Sequence, residues 1–284
     1  MIISVASGKG GTGKTTVSTS LALSLKGDVQ LLDCDVEEPN AHIFIRPDIL
    51  EKETVSVPVP EIDERKCVYC GKCSEVCAYN AIAVLAGQEG SGGNALVFPE
   101  LCHGCGACMY FCPESAISER YREIGVVETG TRGALEFIHG KLNIGEAMAP
   151  PLIRAVKKKI NKEKTVVVDA PPGTTCPVIT SITGSDYCVL VTEPTPFGLN
   201  DLKLAVEVLD EMLIPFGVIV NRAGLGDDKT YSYCERENIP VLMNIPFKRE
   251  IAEAYSRGIP LVESFPEIKD EMLMAVDKIK EAVG

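Results

Sequence analysis

The chain has 284 residues and a formal net charge of −12, from 28 Lys and Arg against 40 Asp and Glu. Nucleic-acid binders present a basic face, so this balance excludes nucleic acid as an expected partner and suits a basic protein instead. With 45% hydrophobic and 24% charged residues, the composition is that of a globular chain long enough for one large domain and a small one.

No apolar run reaches the eighteen or so residues that span a bilayer. The start, Met1-Ile2-Ile3-Ser4-Val5, has neither the basic residues nor the cleavage site of a secretory signal, so a cytoplasmic protein without a membrane partner is expected. Of twelve cysteines, eight fall in two compact, regularly spaced groups. In a reducing compartment that pattern points to metal binding rather than disulfides. Cys34, Cys176, Cys188 and Cys234 are scattered, and each is expected to be a small buried hydrophobe.

The apolar run Ile2 to Ala6 predicts a first strand, and Ser7 to Gly13 a glycine-rich loop. Thr15 to Lys26 has helical spacing, with Val17, Leu21 and Leu25 on one face. Val29 to Asp33 predicts a second strand. Pro58 and Pro60 then break the chain, and the cysteine-dense stretch from Cys67 to Cys112 follows. Within it, Ala81–Leu85 and Ala95–Phe98 predict short strands joined through the turn-rich Gly87 to Gly93.

After about residue 120, Val166–Val168, Cys188–Val191, Val218–Val220 and Val241–Asn244 read as buried parallel strands. Helical patterns at Ala147–Ile160, Asn200–Leu213, Lys229–Glu237, Arg249–Arg257 and Glu267–Val283 accompany them. In the last, Ile268, Met272, Ala275, Ile279 and Val283 share a face, and its mixed charges favour packing on a sheet over a membrane surface. The expected fold is α/β: a parallel sheet flanked by helices, formed by residues 1–57 and 121–284. A small α+β insert occupies 58–120.

Gly8-Lys9-Gly10-Gly11-Thr12-Gly13-Lys14-Thr15 fits the phosphate-loop pattern G-x-x-x-x-G-K-[ST] in a strand–loop–helix setting. Its glycines let backbone N–H groups turn toward a polyphosphate, and the following helix offers its positive end. Lys14 is expected at the β- and γ-phosphates and Thr15 on Mg²⁺, with Thr16 completing the binding loop.

The additional Lys9 makes the loop resemble the deviant Walker A family, which includes MinD, ParA, Mrp-type proteins and the nitrogenase iron protein. That resemblance implies ATP and Mg²⁺ as ligands, an ATP-dependent homodimer, and Lys9 reaching the partner subunit's nucleotide. Leu31-Leu32-Asp33-Cys34-Asp35 is similar to the family's D-x-D segment, which implies that Asp35 serves the attacking water or the metal shell. Val166-Val167-Val168-Asp169-Ala170-Pro171-Pro172-Gly173 resembles its Walker B and switch II segment, with Asp169 on Mg²⁺ through water and the Gly173 backbone approaching the γ-phosphate. Val220-Asn221-Arg222 resembles its adenine-reading segment, making Asn221 the base contact, with Pro246 lining the same pocket.

The insert departs from plain MinD and ParA. It repeats one spacing: Cys67-x-x-Cys70-x-x-Cys73-x-x-x-Cys77, then Cys102-x-x-Cys105-x-x-Cys108-x-x-x-Cys112-Pro113. Each run resembles that of bacterial ferredoxins, in which three cysteines hold one [4Fe–4S] cluster and the fourth ligates the other. This implies one cluster on Cys67, Cys70, Cys73 and Cys112, and a second on Cys77, Cys102, Cys105 and Cys108. Small residues (Gly71, Gly104, Gly106, Ala107) permit the tight loops, and Ala78 stands where proline is usual. Zinc is the competing occupant, since paired C-x-x-C motifs also bind it. His103 is expected to be a loop residue beside a cluster.

Three functions follow. The first is a slow, Mg²⁺-dependent ATPase coupling dimer switching to electron transfer with an unidentified redox partner. The second is a cluster carrier of Mrp type with an apo-acceptor. The third is a redox-sensing positioning ATPase. Cys176 lies at the switch II position of the nitrogenase iron protein's bridging ligand, but 121–164 offers no second cysteine and Cys234 stands alone. Neither a subunit-bridging cluster nor a paired transfer site is expected, and Cys176 is expected to be structural and buried.

Overall fold

Every central strand of this protein is apolar on both sides, and that sets the architecture. A computed structural model describes residues 1–85 and 92–284. The turn expected between Gly87 and Gly93 falls outside them, except for Gly92 and Gly93. The strands are β1 (Ile2–Ala6), β2 (Val29–Asp33), β3 (Asp48–Ile62), β4 (Ile82–Leu85), β5 (Asn94–Val97), β6 (Ile117–Arg132), β7 (Leu135–Leu142), β8 (Thr165–Asp169), β9 (Tyr187–Thr192), β10 (Phe216–Ala223) and β11 (Val241–Pro246).

Nine of them form one sheet in the order β11-β10-β9-β1-β8-β2-β7-β6-β3, and β4 and β5 form a separate antiparallel pair. Pairings from β11 through β7 are parallel. Alternate residues feed opposite layers: Cys188 and Leu190 pack in one apolar cluster, Val189 and Val191 in the other. The layer of Val189 and Val191 holds the helices Lys14–Ser24 and Pro266–Val283; that of Cys188 and Leu190 holds Cys176–Ile182, Pro196–Met212 and Lys229–Arg236.

On the last helix Ile268, Met272, Ala275, Val276 and Ile279 are buried, whereas Val283 is exposed. Burying each of its large side chains contributes about 1.5–3 kcal/mol, so a charge at Met272 would detach this face. Among the described residues no helix is long and apolar enough to cross a membrane.

The wholly parallel sheet expected from the sequence is corrected to a mixed, mostly parallel one. A two-residue turn at Gly133 and Ala134 joins β6 to β7, the connection used between antiparallel strands. Pro58 and Pro60 do not break the chain either; they lie inside β3, the edge strand. Two residues apart, both lack an N–H on the same side of the strand, where an edge needs none.

The chain divides into two units. One comprises Met1–Glu53, Val127–Lys141 and Ala149–Gly284; the other comprises Thr54–Val126 and Leu142–Met148.

Candidate functional site

In the first unit, the loop after β1 runs into the helix Lys14–Ser24. Gly13 caps that helix at φ 96°, in the left-handed region, and no side chain caps the free N–H groups of its first turn. A Cβ at Gly13 would lie 2.3 Å from Asn221 Nδ2, so backbone conformation and space both require glycine there. Lys14 and Thr15 are buried.

A cleft of about 1210 Å³, its open mouth included, is lined by Gly10, Gly11, Gly13, Lys14, Thr15, Thr16, Asp35, Asn221 and Pro246 from the sequence-derived set. Gly8, Lys9, Thr12 and Asp169 do not line it; Thr12 and Asp169 are buried behind the loop. The cleft adds Glu38, Asn40, Arg222, Phe247, Lys248 and Tyr255. Arg222 and Phe247 adjoin Asn221 and Pro246 in sequence and were within reach of the motif reading. Tyr255, on the helix Arg249–Ser256, carries no sequence signal.

Asn221 grips the loop itself: its Nδ2 donates to the Thr12 carbonyl at 2.8 Å. The two aspartates of Asp33-Cys34-Asp35 divide their work. Asp33 is fully buried; its Oδ1 accepts from Asp35 N at 3.0 Å, and its Oδ2 accepts from Asn40 N at 3.1 Å and Ala41 N at 3.0 Å. It therefore shapes the segment that presents Asp35 to the cleft. Partial burial raises the Asp35 carboxyl to about 6, against the pull of the Lys14 ammonium.

Asp169 lies at the end of β8, fully buried, with both carboxylate oxygens lacking a hydrogen-bond partner. Burial raises its pKa, with the Lys14 ammonium and the nearby Thr15 and Ser18 hydroxyls, which lie too poorly placed to satisfy it, opposing. An orphaned buried carboxylate beside a phosphate loop is the donor a hard divalent cation takes, so this chain fits Mg²⁺.

Cys176 is exposed at the start of the helix Cys176–Ile182, which corrects the expectation that it is buried. A helix N-terminus following a polar loop reaches solvent, which the apolar-cysteine rule does not foresee. Cys34, Cys188 and Cys234 are buried as expected.

In the second unit, the two cysteine runs fold alike. Gly71 and Gly106, at φ 79° and 73°, each turn the chain into a one-turn helix, Lys72–Glu75 and Ala107–Tyr110. The eight cysteines then part into two fours. Cys67, Cys70, Cys73 and Cys112 line a half-open pocket of about 360 Å³, its open mouth included, together with Ile62, Val84 and Ile117. Cys77, Cys102, Cys105 and Cys108 line one of about 430 Å³, measured in the same way, together with Pro58, Tyr79 and His103. Backbone N–H groups point at the sulfurs: Ala81 to Cys77 at 3.3 Å, Gly104 to Cys102 at 3.4 Å and Ala116 to Cys112 at 3.3 Å. His103 stacks on Tyr79, with ring centroids 3.6 Å apart.

The sequence pattern of the CobQ/CobB/MinD/ParA nucleotide binding domain matches residues 3–261. An uncharacterized protein of Methanocaldococcus jannaschii is 31% identical over 289 residues, covering 100% of this chain and 98% of that protein. An iron-sulfur cluster carrier protein of Pyrococcus horikoshii is 26% identical over 160 residues, which are 48% of this chain and 54% of the carrier. Among solved structures, the septum site-determining protein MinD of Pyrococcus horikoshii, complexed with Mg-ADP, aligns with a TM-score of 0.57 at 20% identity, over 100% of this chain and 98% of that one. That likeness is one of fold. With most of its length matched by one family's pattern, the chain belongs to the CobQ/CobB/MinD/ParA nucleotide-binding domain family.

Proposed function

We propose that this protein is a slow, Mg²⁺-dependent ATPase that couples nucleotide-driven dimerisation to electron transfer through two [4Fe–4S] clusters. The observation that carries the proposal is the partition of eight cysteines into two four-sulfur cavities, in one chain with a phosphate-loop cleft. Each four draws its last member from the other run, which is the ligand exchange of two-cluster ferredoxins. A zinc ion would need four sulfurs about 2.3 Å from one point. Four cysteines spread around each largely apolar wall fit a cubane better. On this reading residues 58–120 are a ferredoxin-like insert in an ATPase domain formed by 1–57 and 121–284.

At the cleft, positioning and electrostatics dominate phosphoanhydride hydrolysis. Loop amides and Lys14 hold the β- and γ-phosphates, and Asn221 and Pro246 bound the base. Thr15, Asp35 and Asp169 would hold Mg²⁺, which supplies neutralisation of the phosphate charge. Asp35, presented by Asp33, orients the attacking water. Lys9 acts on the partner subunit's nucleotide, so hydrolysis requires the homodimer. In the second unit the chain's part is to fix eight thiolates and direct amides at them. The clusters supply single-electron chemistry.

Partial likeness to a cluster carrier supports a second reading, in which a cluster is handed to an apo-acceptor. Four ligands per cluster from one chain favour retention instead. The test is anaerobic reconstitution followed by iron counting and a transfer assay with and without ATP. Electron transfer requires about eight iron atoms per chain, kept in the presence of acceptor. ATP-dependent loss to the acceptor would replace the first reading with the second.

A further inference from the structure

We infer that Glu193 is a positioning residue for Lys9, a latch that holds this lysine on its own subunit until the dimer forms; the inference rests on the in-trans role of Lys9 proposed above. Glu193 follows β9 and is 6% exposed. Its carboxylate faces two cations: Arg222 Nη1 lies 2.7 Å from Oε1, and Lys9 Nζ lies 4.0 Å from Oε2. The short pair anchors the carboxylate, and the long pair is the one that can open.

The turn carrying Glu193 is tightly fixed. Its carbonyl accepts from Thr195 N at 2.8 Å, and Thr195 Oγ1 accepts from Gly198 N at 3.1 Å. A Cβ at Gly198 would come within 2.3 Å of the Glu193 carbonyl oxygen, so the helix Pro196–Met212 leaves that backbone no room to retreat.

On the other side, Arg222 is held at φ 55°, in the left-handed region that non-glycine residues seldom adopt. Its N–H donates to Asn221 Oδ1 at 2.9 Å, while Asn221 Nδ2 donates to Thr12. The Asn221-Arg222 pair therefore touches the phosphate loop twice, at Thr12 directly and at Lys9 through Glu193. Both residues line the cleft, so a base bound there lies against the anchor of the latch.

The Lys9 side chain is 35% exposed, which keeps its tether weak enough to exchange for a partner's phosphates. Contacts of this kind shift populations by a few-fold. Glu193→Gln keeps an oxygen for Arg222 but removes the charge that detains Lys9.

The experiment measures the protein concentration at half-dimerisation in ATP, by sedimentation, and the hydrolysis rate against protein concentration. Wild type, Glu193→Gln, Lys9→Met and the double variant are compared. The expected result is a dimerisation midpoint about threefold lower in Glu193→Gln, with KM for ATP unchanged and the gain abolished by Lys9→Met. A merely structural glutamate would instead weaken ATP binding and lower the melting temperature. If Glu193→Gln does not fold, Glu193→Asp, one methylene shorter, takes its place.

An unmoved midpoint, or a shift that persists without Lys9, overturns the latch while leaving the ATPase reading intact. Wild-type hydrolysis by Lys9→Met overturns the in-trans role and the latch with it.

Discussion

Asp33 and Asp169 face each other in register on the neighbouring parallel strands β2 and β8, both fully buried, yet only Asp33 has its oxygens satisfied. Burial chiefly raises the pKa of each, and at Asp33 the neighbouring Asp169 carboxylate adds to the effect. One carboxylate is built into the loop, and the other is left free for a cation. Asp169→Asn should therefore separate stability from function. Without Mg²⁺ at pH 8 the variant gains about 1 kcal/mol, because an unpaired buried charge is gone. In Mg²⁺ it loses hydrolysis by at least about a hundredfold. Calorimetry in chelator and a phosphate-release assay check the two signs; a variant that is both less stable and fully active would contradict this division of roles.

The Asn221–Thr12 bond ties the end of β10 to the phosphate loop. Asn221→Ala should weaken ATP binding about tenfold, the cost of roughly one hydrogen bond made to the loop. Gly13→Ala should remove binding altogether, since its methyl would overlap Asn221 Nδ2. Titration with a fluorescent ATP analogue measures both. Wild-type affinity in Gly13→Ala would show that the loop tolerates a displaced Asn221.

Cross-pairing gives a sharp expectation for single cysteine variants. Cys112→Ser should lose the same cluster as Cys73→Ser, and Cys77→Ser the same as Cys105→Ser. Iron analysis and EPR of the reduced proteins identify which signal disappears. Pairing within each run would instead group Cys112 with Cys105.

Glu128 on β6 is met by Lys141 and His139 on β7 and by Lys52 on β3. Its Oε2 accepts from Lys141 at 2.8 Å and from His139 Nε2 at 2.9 Å, and Lys52 lies 3.3 Å from Oε1. Burial pushes its carboxyl up, but these hydrogen bonds outweigh it and hold the pKa at about 2. A depressed folded pKa gives stability that is fully present above the usual carboxylate range and is lost as pH falls through the folded value. Glu128→Gln should thus cost about 2 kcal/mol at pH 7, and the gap to wild type should close between about pH 4.5 and pH 2. Urea melts across that window read the gap directly. A constant gap would place the effect in packing rather than charge.

The phosphate loop, the acidic strand ends and the cysteine spacing were legible because each is local. Their chemistry needs neighbours in sequence. The central strands were legible because burial on both faces leaves an apolar run. β3, β6 and β7 were not: β3 and β6 carry Glu, Lys and Arg outside the core, Glu136, His139 and Lys141 interrupt the apolar run of β7, and Pro58 and Pro60 look like breaks until an edge position explains them. Glu193 carries no motif, and only folding brings residues 9, 193 and 222 together. The exposure of Cys176 depended on a helix start that no apolar pattern marked.

The central claim is that the ATP cleft and the cysteine unit act together. Its most direct measurement is a redox titration of the reconstituted protein, with and without Mg-ATP, followed by EPR. The account predicts that nucleotide moves at least one cluster potential by about 60 mV or more, a tenfold change for one electron. It also predicts that Lys9→Met, which withholds this lysine from the partner subunit's nucleotide, shows no such shift. Identical potentials in both conditions, from protein that binds ATP and dimerises, would contradict it.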